Sequence, residues 1–251
     1  QVGSSAASDV YKRQSYNSGN DNNDGKSEDK AFKNLGKVNS ITFKPGDKLM
    51  FKSGETWKGY FKLRGSGSQD KPIVIESYSS GDKPKIDGNG YQAAVFIENQ
   101  EYVNISGLDL TNEASHKNSN GSVKLMNQSS RSGEDERFGL LVLRHGSSNI
   151  NDIKLDDIKI SEIYPTPSNS DNNHQGYGIR FESLNDDSVL NYYDGIEIEN
   201  LDISNTGHYG IHIVNRMSGA QPDYYHRNIV IKDSKFNNTG GSGIVLARCK
   251  D

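Results

Sequence analysis

Apolar and polar residues alternate in short segments along most of this chain. One recurrent segment carries a glycine followed by alternating apolar residues: FGLLVL from Phe138, YGIRFE from Tyr177, YGIHIV from Tyr209 and SGIVLA from Ser242. Strict alternation places successive side chains on opposite faces of a strand, so that one face is buried and the other faces solvent. Each segment is therefore predicted to be a short, half-buried β-strand.

A second, longer alternating segment lies between the glycine segments and has a polar turn at its middle. Its copies are YVNISGLDLTN from Tyr102, NDIKLDDIKISEI from Asn151, DGIEIENLDISNT from Asp194 and RNIVIKDSKFNNT from Arg227. The two segments together form a repeat of three short strands, and Gly178, Gly210 and Gly243 recur at a step of 32 to 33 residues. Such strands bury their inner faces only when one repeat stacks on the next. The pattern predicts an all-β fold, a right-handed parallel β-helix.

The first forty residues carry a different signal. SYNSGNDNNDGKSEDKAFKNLGKVNS, residues 15–40, resembles the amino-terminal signature of secreted bacterial right-handed β-helix proteins, in which a strand and an Asn/Asp/Gly-rich turn precede a short capping helix. FKPGDKLMFKSGETWKG from Phe43 resembles their first coil. This resemblance to the pectate-lyase-like superfamily implies a carbohydrate-active protein that is secreted, periplasmic or displayed on the cell surface. That superfamily includes lyases, hydrolases, epimerases and tailspikes, so the fold does not fix the activity.

Both ends of the chain carry separate expectations. SSAASDVYKRQ from Ser4 resembles the translation of a sequencing-library adapter, so residues 1–14 are predicted to be non-native. Residues 15–40 form the predicted amino-terminal strand, turn and capping helix, and residues 41–251 the coils. SGIVLARCKD, residues 242–251, supplies one strand of a new coil and would leave an open edge of unpaired backbone. We therefore expect a fragment that is truncated at its carboxyl end.

Composition narrows the classes of partner. Hydrophobic residues make up 32% of the chain and no apolar run is long enough to cross a membrane, so membrane insertion is not expected. A net charge of -4 with scattered lysine and arginine argues against nucleic-acid binding. A single cysteine, Cys249, excludes an intrachain disulfide. We expect a monomer whose partner is a polysaccharide.

Candidate site residues follow from aligning the glycine segments. The alignment places Leu141, Arg180, His212 and Val245 in one outward row, and Leu143, Glu182, Val214 and Ala247 in the next. Neighbouring coils are about 4.8 Å apart, so we expect Arg180, Glu182 and His212 to form one solvent-facing cluster. The residues expected at its margin are Tyr177, Tyr209, Arg144, His208, Asn215, Arg216 and Arg248. The insertion Asn215–His226 adds three residues of types that bind sugars, Asp223, Tyr224 and Tyr225.

This cluster contains the groups that β-elimination from a uronic acid requires. Arg180 or Arg216 would neutralise the substrate carboxylate, and His212 or His208 would remove the adjacent proton. Tyr209 would protonate the leaving oxygen. The preferred hypothesis is therefore a lyase that cleaves an acidic polysaccharide.

Two alternatives remain open. A glycoside hydrolase on the same fold would need two carboxylates roughly 5 to 9.5 Å apart, and Glu182 is the one carboxylate identified on this face. Its partner would come from Asp187, Asp194 or Asp223. A non-catalytic polysaccharide-binding or surface-attachment solenoid is the other alternative.

A cofactor is not indicated by any clear motif. The run NDNNDG from Asn20 to Gly25 offers oxygen atoms that suit calcium, but it lacks the spacing and the final glutamate of an EF-hand loop. Asn, Asp and Gly are also the ordinary residues of tight turns. We predict a turn here and assign no metal ligands.

Overall fold

The computed structural model describes residues 11–113, 136–146, 148–164, 175–185 and 189–250. Within these ranges the chain is almost entirely short strands. The elements are β1 Tyr11–Gln14, a 3₁₀ turn Glu28–Lys30, α1 Leu35–Asn39, β2 Lys48–Lys52, β3 Thr56–Lys58, β4 Phe61–Leu63, β5 Ile73–Tyr78, β6 Lys85–Asp87, β7 Ala93–Glu98, β8 Val103–Ser106, β9 Asp109–Glu113, β10 Glu136–His145, β11 Ile150–Asp156, β12 Lys159–Tyr164, β13 Gln175–Leu184, β14 Tyr193–Glu199, β15 Asp202–Thr206, β16 Ile211–Arg216, a 3₁₀ turn Pro222–Tyr224, β17 Arg227–Lys232, β18 Lys235–Thr239 and β19 Ile244–Ala247.

Three parallel sheets arise because each coil gives one strand to each sheet in turn. Sheet 1 has the order β1-β2-β5-β8-β11-β14-β17, sheet 2 the order β18-β15-β12-β9-β6-β3, and sheet 3 the order β19-β16-β13-β10-β7-β4. All pairings between neighbouring described strands are parallel. The predicted parallel β-helix is confirmed. The strands that contain or follow Gly178, Gly210 and Gly243 lie together in sheet 3, as the repeat predicts.

The core is a set of aligned columns of inward side chains. Of nine apolar residues at alternating positions of the repeat strands, six are buried with no measurable exposure: Ile179, Phe181, Ile196, Ile198, Ile211 and Ile213. The other three, Ile229, Ile231 and Phe236, are partly buried and pack against the same core. They lie in β17 and β18, on which no further coil of the described chain stacks in sheets 1 and 2.

The glycine column marks the corner where sheet 2 passes into sheet 3. A Cβ atom on Gly178 would lie 2.6 Å from the carbonyl oxygen of Gly210, and one on Gly210 would lie 2.6 Å from that of Gly243. These distances are shorter than any ordinary carbon–oxygen contact. Glycine recurs here because the backbones of successive coils approach too closely for a side chain.

The polar turn predicted between the second and third strands of the repeat joins sheet 1 to sheet 2. Asp157, Asn200 and Asp233 occupy it with φ values of 52°, 54° and 50°. Asn and Asp tolerate this left-handed conformation better than other non-glycine residues. The alternation of strand residues and turn residues therefore fixes where each coil bends.

Sheet 1 presents a polar outer face. Lys154 Nζ lies 2.8 Å from Glu197 Oε2, and Lys232 Nζ lies 2.8 Å from Glu199 Oε2. Both pairs were expected from the alignment of the repeats. All four side chains are substantially exposed, so each pair contributes at most about 1 kcal/mol.

The amino-terminal region caps the stack as predicted. Helix α1 buries Leu35 and Val38, and Trp57 Nε1 donates a hydrogen bond to the carbonyl oxygen of Lys33. The strand expected within residues 15–40 is instead β1, Tyr11–Gln14, which pairs with β2 and lies in the segment that resembles an adapter. Among the described residues, no helix has the length and apolar character needed to span a membrane.

The Asn/Asp-rich run forms a hydrogen-bonded turn. Both backbone N–H groups of Lys33 and Asn34 donate to Asp21 Oδ1, at 2.8 and 2.9 Å. Asn20 Oδ1 accepts a hydrogen bond from the N–H of Asn22, which is the geometry of an Asx turn. The described part of the chain holds no group of three or more His, Cys, Asp or Glu side chains arranged for a metal ion.

Candidate functional site

The outward rows of sheet 3 have the predicted register. Leu141 pairs with Arg180, Arg180 with His212, and His212 with Val245. The neighbouring row runs from Leu143 through Glu182 to Val214 and Ala247. Adjacent strands therefore bring Arg180, Glu182 and His212 to one place on the sheet.

The expected exposure of these residues is wrong. Arg180 and Glu182 are each about 1% exposed, although they lie on the outer side of the sheet. The reason is that outward residues of this sheet form a second apolar cluster, separate from the core inside the coils. Its buried members are Ala93, Phe96, Phe138, Leu141, Leu143 and Tyr177. Arg180 and Glu182 are buried beside this cluster as an ion pair.

A chain of alternating charges crosses this cluster. Arg180 Nε lies 2.9 Å from Glu182 Oε2, at an angle that makes the contact an ion pair rather than a hydrogen bond. Arg180 Nη1 lies 3.4 Å from Glu136 Oε1, and Arg216 Nε donates to Glu182 Oε1 at 2.6 Å. Two guanidinium groups thus contact the Glu182 carboxylate. Arg180 joins two carboxylates from neighbouring strands.

Aromatic rings surround Arg180. Its guanidinium lies 4.8 Å from the ring centre of Tyr177, a distance typical of a cation–π contact. The Tyr177 ring stacks between Phe138 and His212, at centroid distances of 5.4 and 5.6 Å. This stack fixes the plane of the guanidinium, because the rings below and beside it leave it little freedom to turn.

Four of the predicted site residues carry aromatic rings, and they differ in exposure. Tyr177 is buried, whereas His208, Tyr209 and His212 are partly exposed. The rings of His208 and Tyr209 stack at 3.7 Å, and Tyr209 meets His212 edge-on at 5.3 Å. We refer to His208, Tyr209 and His212 as the aromatic rim. The rim residues are thus more exposed than Arg180 and Glu182.

Three predicted margin residues donate hydrogen bonds to nearby acceptors. Arg144 is 7% exposed and donates from Nη1 to Asn99 Oδ1 at 2.9 Å, and burial lowers its pKa from the ordinary arginine value. Asn215 Nδ2 donates to the carbonyl oxygen of Tyr224 at 2.7 Å. Arg248 Nη1 donates to the carbonyl oxygen of Met217. Their expected role at the margin of the cluster remains a prediction.

The insertion Asn215–His226 shows the same pattern. Asp223 is exposed, and its carbonyl oxygen accepts a hydrogen bond from Arg227 Nη2 at 2.6 Å. The ring of Tyr224 lies 6.4 Å from that of Tyr192, and Tyr225 is partly exposed. The expected role of these three side chains as a wall of the site remains a prediction.

The second carboxylate of the site is Glu136, which the sequence reasoning missed. The structure places Asp194 on sheet 1, where its Oδ1 accepts from Asn228 Nδ2, and Asp187 lies outside the described residues. Glu136 falls three residues before Gly139, as Gln175 falls three before Gly178, and the two pair in register. That spacing was the available signal.

Tyr193 and His226 support the strand of Glu182 from the inside. The hydroxyl of Tyr193 lies 3.0 Å from the carbonyl oxygens of Val142 and Glu182, and its backbone N–H donates to His226 Nδ1 at 3.0 Å. His226 has no measurable exposure. Burial lowers the pKa of His226 to about 4 from an ordinary value of 6.5. The neutral imidazole is therefore the form that the fold requires.

Acid should destabilise the protein through His226. Its folded-state pKa of about 4 lies below 6.5, so the unfolded chain takes up this proton first. The free energy of unfolding has its full value, as far as this histidine is concerned, above pH 6.5. It decreases as the pH falls toward 4, by roughly 3 kcal/mol for a pKa difference of 6.5 − 4 = 2.5. Urea unfolding at pH 7 and pH 4.5 should show this loss in the wild type and a much smaller one in His226→Gln. His145→Gln, at an exposed histidine, is the control and should keep the wild-type loss.

The fold and the site define a parallel β-helix with a buried carboxylate–arginine cluster on one outer face. Solved structures with the same fold include the native and selenomethionine forms of the GH136 lacto-N-biosidase from Eubacterium ramulus. They match 94% of this chain and 43% of that chain, with 21% identity and TM-scores of 0.73 and 0.72. At this identity the likeness shows a shared fold.

A sequence relative is consistent with the structural match. A lacto-N-biosidase from Bifidobacterium longum is 24% identical over an alignment of 300 positions, which covers 92% of this chain and 18% of that protein. The chain thus spans less than half of the solved structures and less than a fifth of the curated relative that it matches. No protein-family model matches the chain.

Proposed function

We propose that this protein is a carbohydrate-active enzyme that hydrolyses glycosidic bonds, with its reacting groups on the outer face of sheet 3. The observation that carries this proposal is the contact of Glu136 and Glu182 with one guanidinium, that of Arg180. A guanidinium bridges two carboxylates over a distance on the scale of glycosidase pairs, roughly 5 to 9.5 Å. The likeness to lacto-N-biosidases supports a hydrolase over a lyase.

The charge network also weakens the β-elimination hypothesis. A lyase would use Arg180 to neutralise the carboxylate of a uronic acid, but its Nε and Nη1 atoms already face Glu182 and Glu136. Arg216 is likewise paired with Glu182. A substrate carboxylate would have to displace these internal partners. The hydrolase alternative from the sequence is therefore better supported than the preferred lyase hypothesis.

The two carboxylates have different surroundings, which suggests different roles. Glu182, which contacts the guanidinium groups of Arg180 and Arg216, is proposed as the nucleophile or base. Glu136, the second carboxylate beside Arg180, is proposed to donate the proton to the leaving oxygen. The aromatic rim would hold a sugar ring by stacking, which keeps His212 and Tyr209 in binding rather than in acid–base roles. We propose a secreted or cell-surface location, which suits a glycan substrate.

Glu182→Gln tests this assignment. The change keeps the size of the side chain and removes its negative charge, so the rate of hydrolysis should fall by about 100- to 10,000-fold. The rate is measured with aryl glycosides, including an aryl lacto-N-bioside because of the relatives' name, and by reducing ends released from polysaccharides. Glu199→Gln removes an exposed carboxylate of sheet 1 and should leave the rate within twofold of wild type.

Two outcomes would contradict the proposal. Hydrolysis by folded Glu182→Gln at the wild-type rate would place the reacting carboxylate elsewhere. Formation of an unsaturated uronic ring at the cleaved bond, detected by its ultraviolet absorbance, would establish a lyase. In that case no hydroxyl group from water is added at the cleaved bond. Circular dichroism of each variant verifies that lost activity is not lost structure.

A further inference from the structure

A polar groove lies on the opposite side of the coils from the aromatic rim. It occupies the angle between the turns that leave sheet 1 and the outer face of sheet 2, with a volume of about 810 Å³. Its lining begins at Gly54, two residues before Thr56 in the first complete coil, and ends at Asp202 in the fifth. Four steps of about 4.8 Å give a length of about 19 Å. A groove of this length suits an extended ligand rather than an ion or a single small molecule.

The floor of the groove is a row of alternating charges. Register pairs Lys85 with Asp109, Asp109 with Lys159, and Lys159 with Asp202. Lys85 Nζ and Lys159 Nζ lie 3.5 and 4.0 Å from Asp109 Oδ2, longer than the roughly 2.7 to 2.9 Å of a tight charge-assisted hydrogen bond. The lysine side chains are 39% and 51% exposed. Both ammonium groups therefore keep donors available to a ligand.

The charges of the lining select the ligand class. Five carboxylates and three lysines line the groove, and they are mixed along its length. A polyanion such as a nucleic acid or a polyuronate would meet net repulsion, and Ile158 alone among the described lining residues is a large apolar one, which disfavours a lipid or an amphipathic helix. A neutral sugar carries hydroxyl groups that both donate and accept, so it can satisfy carboxylates and ammonium groups alternately.

The spacing of the row also fits a sugar chain. Successive charged residues are one coil apart, about 4.8 Å, which is comparable to the length of one pyranose unit in an extended chain. We propose that this groove binds an extended, neutral oligosaccharide lengthwise, with one coil for each sugar unit. This site uses none of the residues assigned to hydrolysis, so it would hold a glycan chain on the enzyme independently of cleavage.

Binding is measured with purified Glu182→Gln protein, so that turnover cannot consume the ligand. The probes are neutral, unbranched glucose hexasaccharides with β-1,4, β-1,3 and α-1,4 linkages, the corresponding disaccharides, and a uronic acid hexamer. We expect at least one neutral hexamer to bind, more tightly than its disaccharide and than the charged hexamer. Calorimetric titration gives each Kd.

Two double variants locate the site. Lys159→Ala with Asp202→Ala removes two steps of the row and should weaken hexamer binding at least tenfold, about 1.4 kcal/mol. Lys154→Ala with Glu197→Ala removes an equivalent exposed pair from sheet 1 and should leave the Kd within twofold. The proposal is overturned if no neutral hexamer binds, if the charged hexamer binds more tightly, or if the groove variant binds as well as its control. Reducing ends released from each probe by Glu182→Gln are measured in parallel, so that failure of the proposed active site is distinguished from failure of this binding site.

Discussion

Replacing Ile211 with aspartate should lower the free energy of unfolding by about 4 to 5 kcal/mol or more. Ile211 has no measurable exposure and lies in the core column between Ile179 and Ile244. A carboxylate at this position would lose its hydration with no cation among its inward neighbours. Urea unfolding followed by circular dichroism gives the change.

The matched control is Ser204→Asp. Ser204 faces outward on sheet 2 between Ser161 and Asn237, so the new charge remains hydrated and should change stability by about 0.5 kcal/mol or less. If Ile211→Asp fails to fold, Ile211→Ala should still fold and lose about 2 to 5 kcal/mol. Wild-type stability in Ile211→Asp would show that the strand register in sheet 3 is wrong by one residue.

Replacing Arg180 with methionine should be nearly as destabilising, by about 3 to 5 kcal/mol. Methionine keeps much of the side-chain volume but removes the cation that faces Glu136 and Glu182, each about 1% exposed. Removing one partner of a buried ion pair leaves the other charge without its compensation. The loss is measured by urea unfolding at neutral pH.

A double variant separates charge from packing. Arg180→Met combined with Glu182→Gln removes the cation and one of its carboxylates, and should recover at least half of the stability that the single change loses. Arg216 then loses its partner, but its side chain is 32% exposed and can be hydrated. Equal stability of the single and double variants would mean that Arg180 acts by packing on Tyr177 rather than by its charge.

The sequence predicted the register of the candidate site but not its environment. Aligning the glycines placed Arg180 beside His212 because parallel strands in a coil repeat have a fixed offset. Whether the outward face is wet depends on what packs over it, and alternation within one strand carries no information about that. The apolar outward residues Leu141 and Leu143 were the visible indication that part of this face is buried.

The sequence by itself determined the fold of this protein. Period-two alternation, the glycine step and the Asx turns are local constraints that recur in each coil. Because every repeat carries the same constraints, the repeats together predict the parallel β-helix. The tertiary structure alone decided which charges meet: Glu136 with Arg180, Arg216 with Glu182, and Arg144 with Asn99. Long side chains reach partners on neighbouring strands and around corners, and the energies that select among those partners depend on burial, which exists only in the assembled stack.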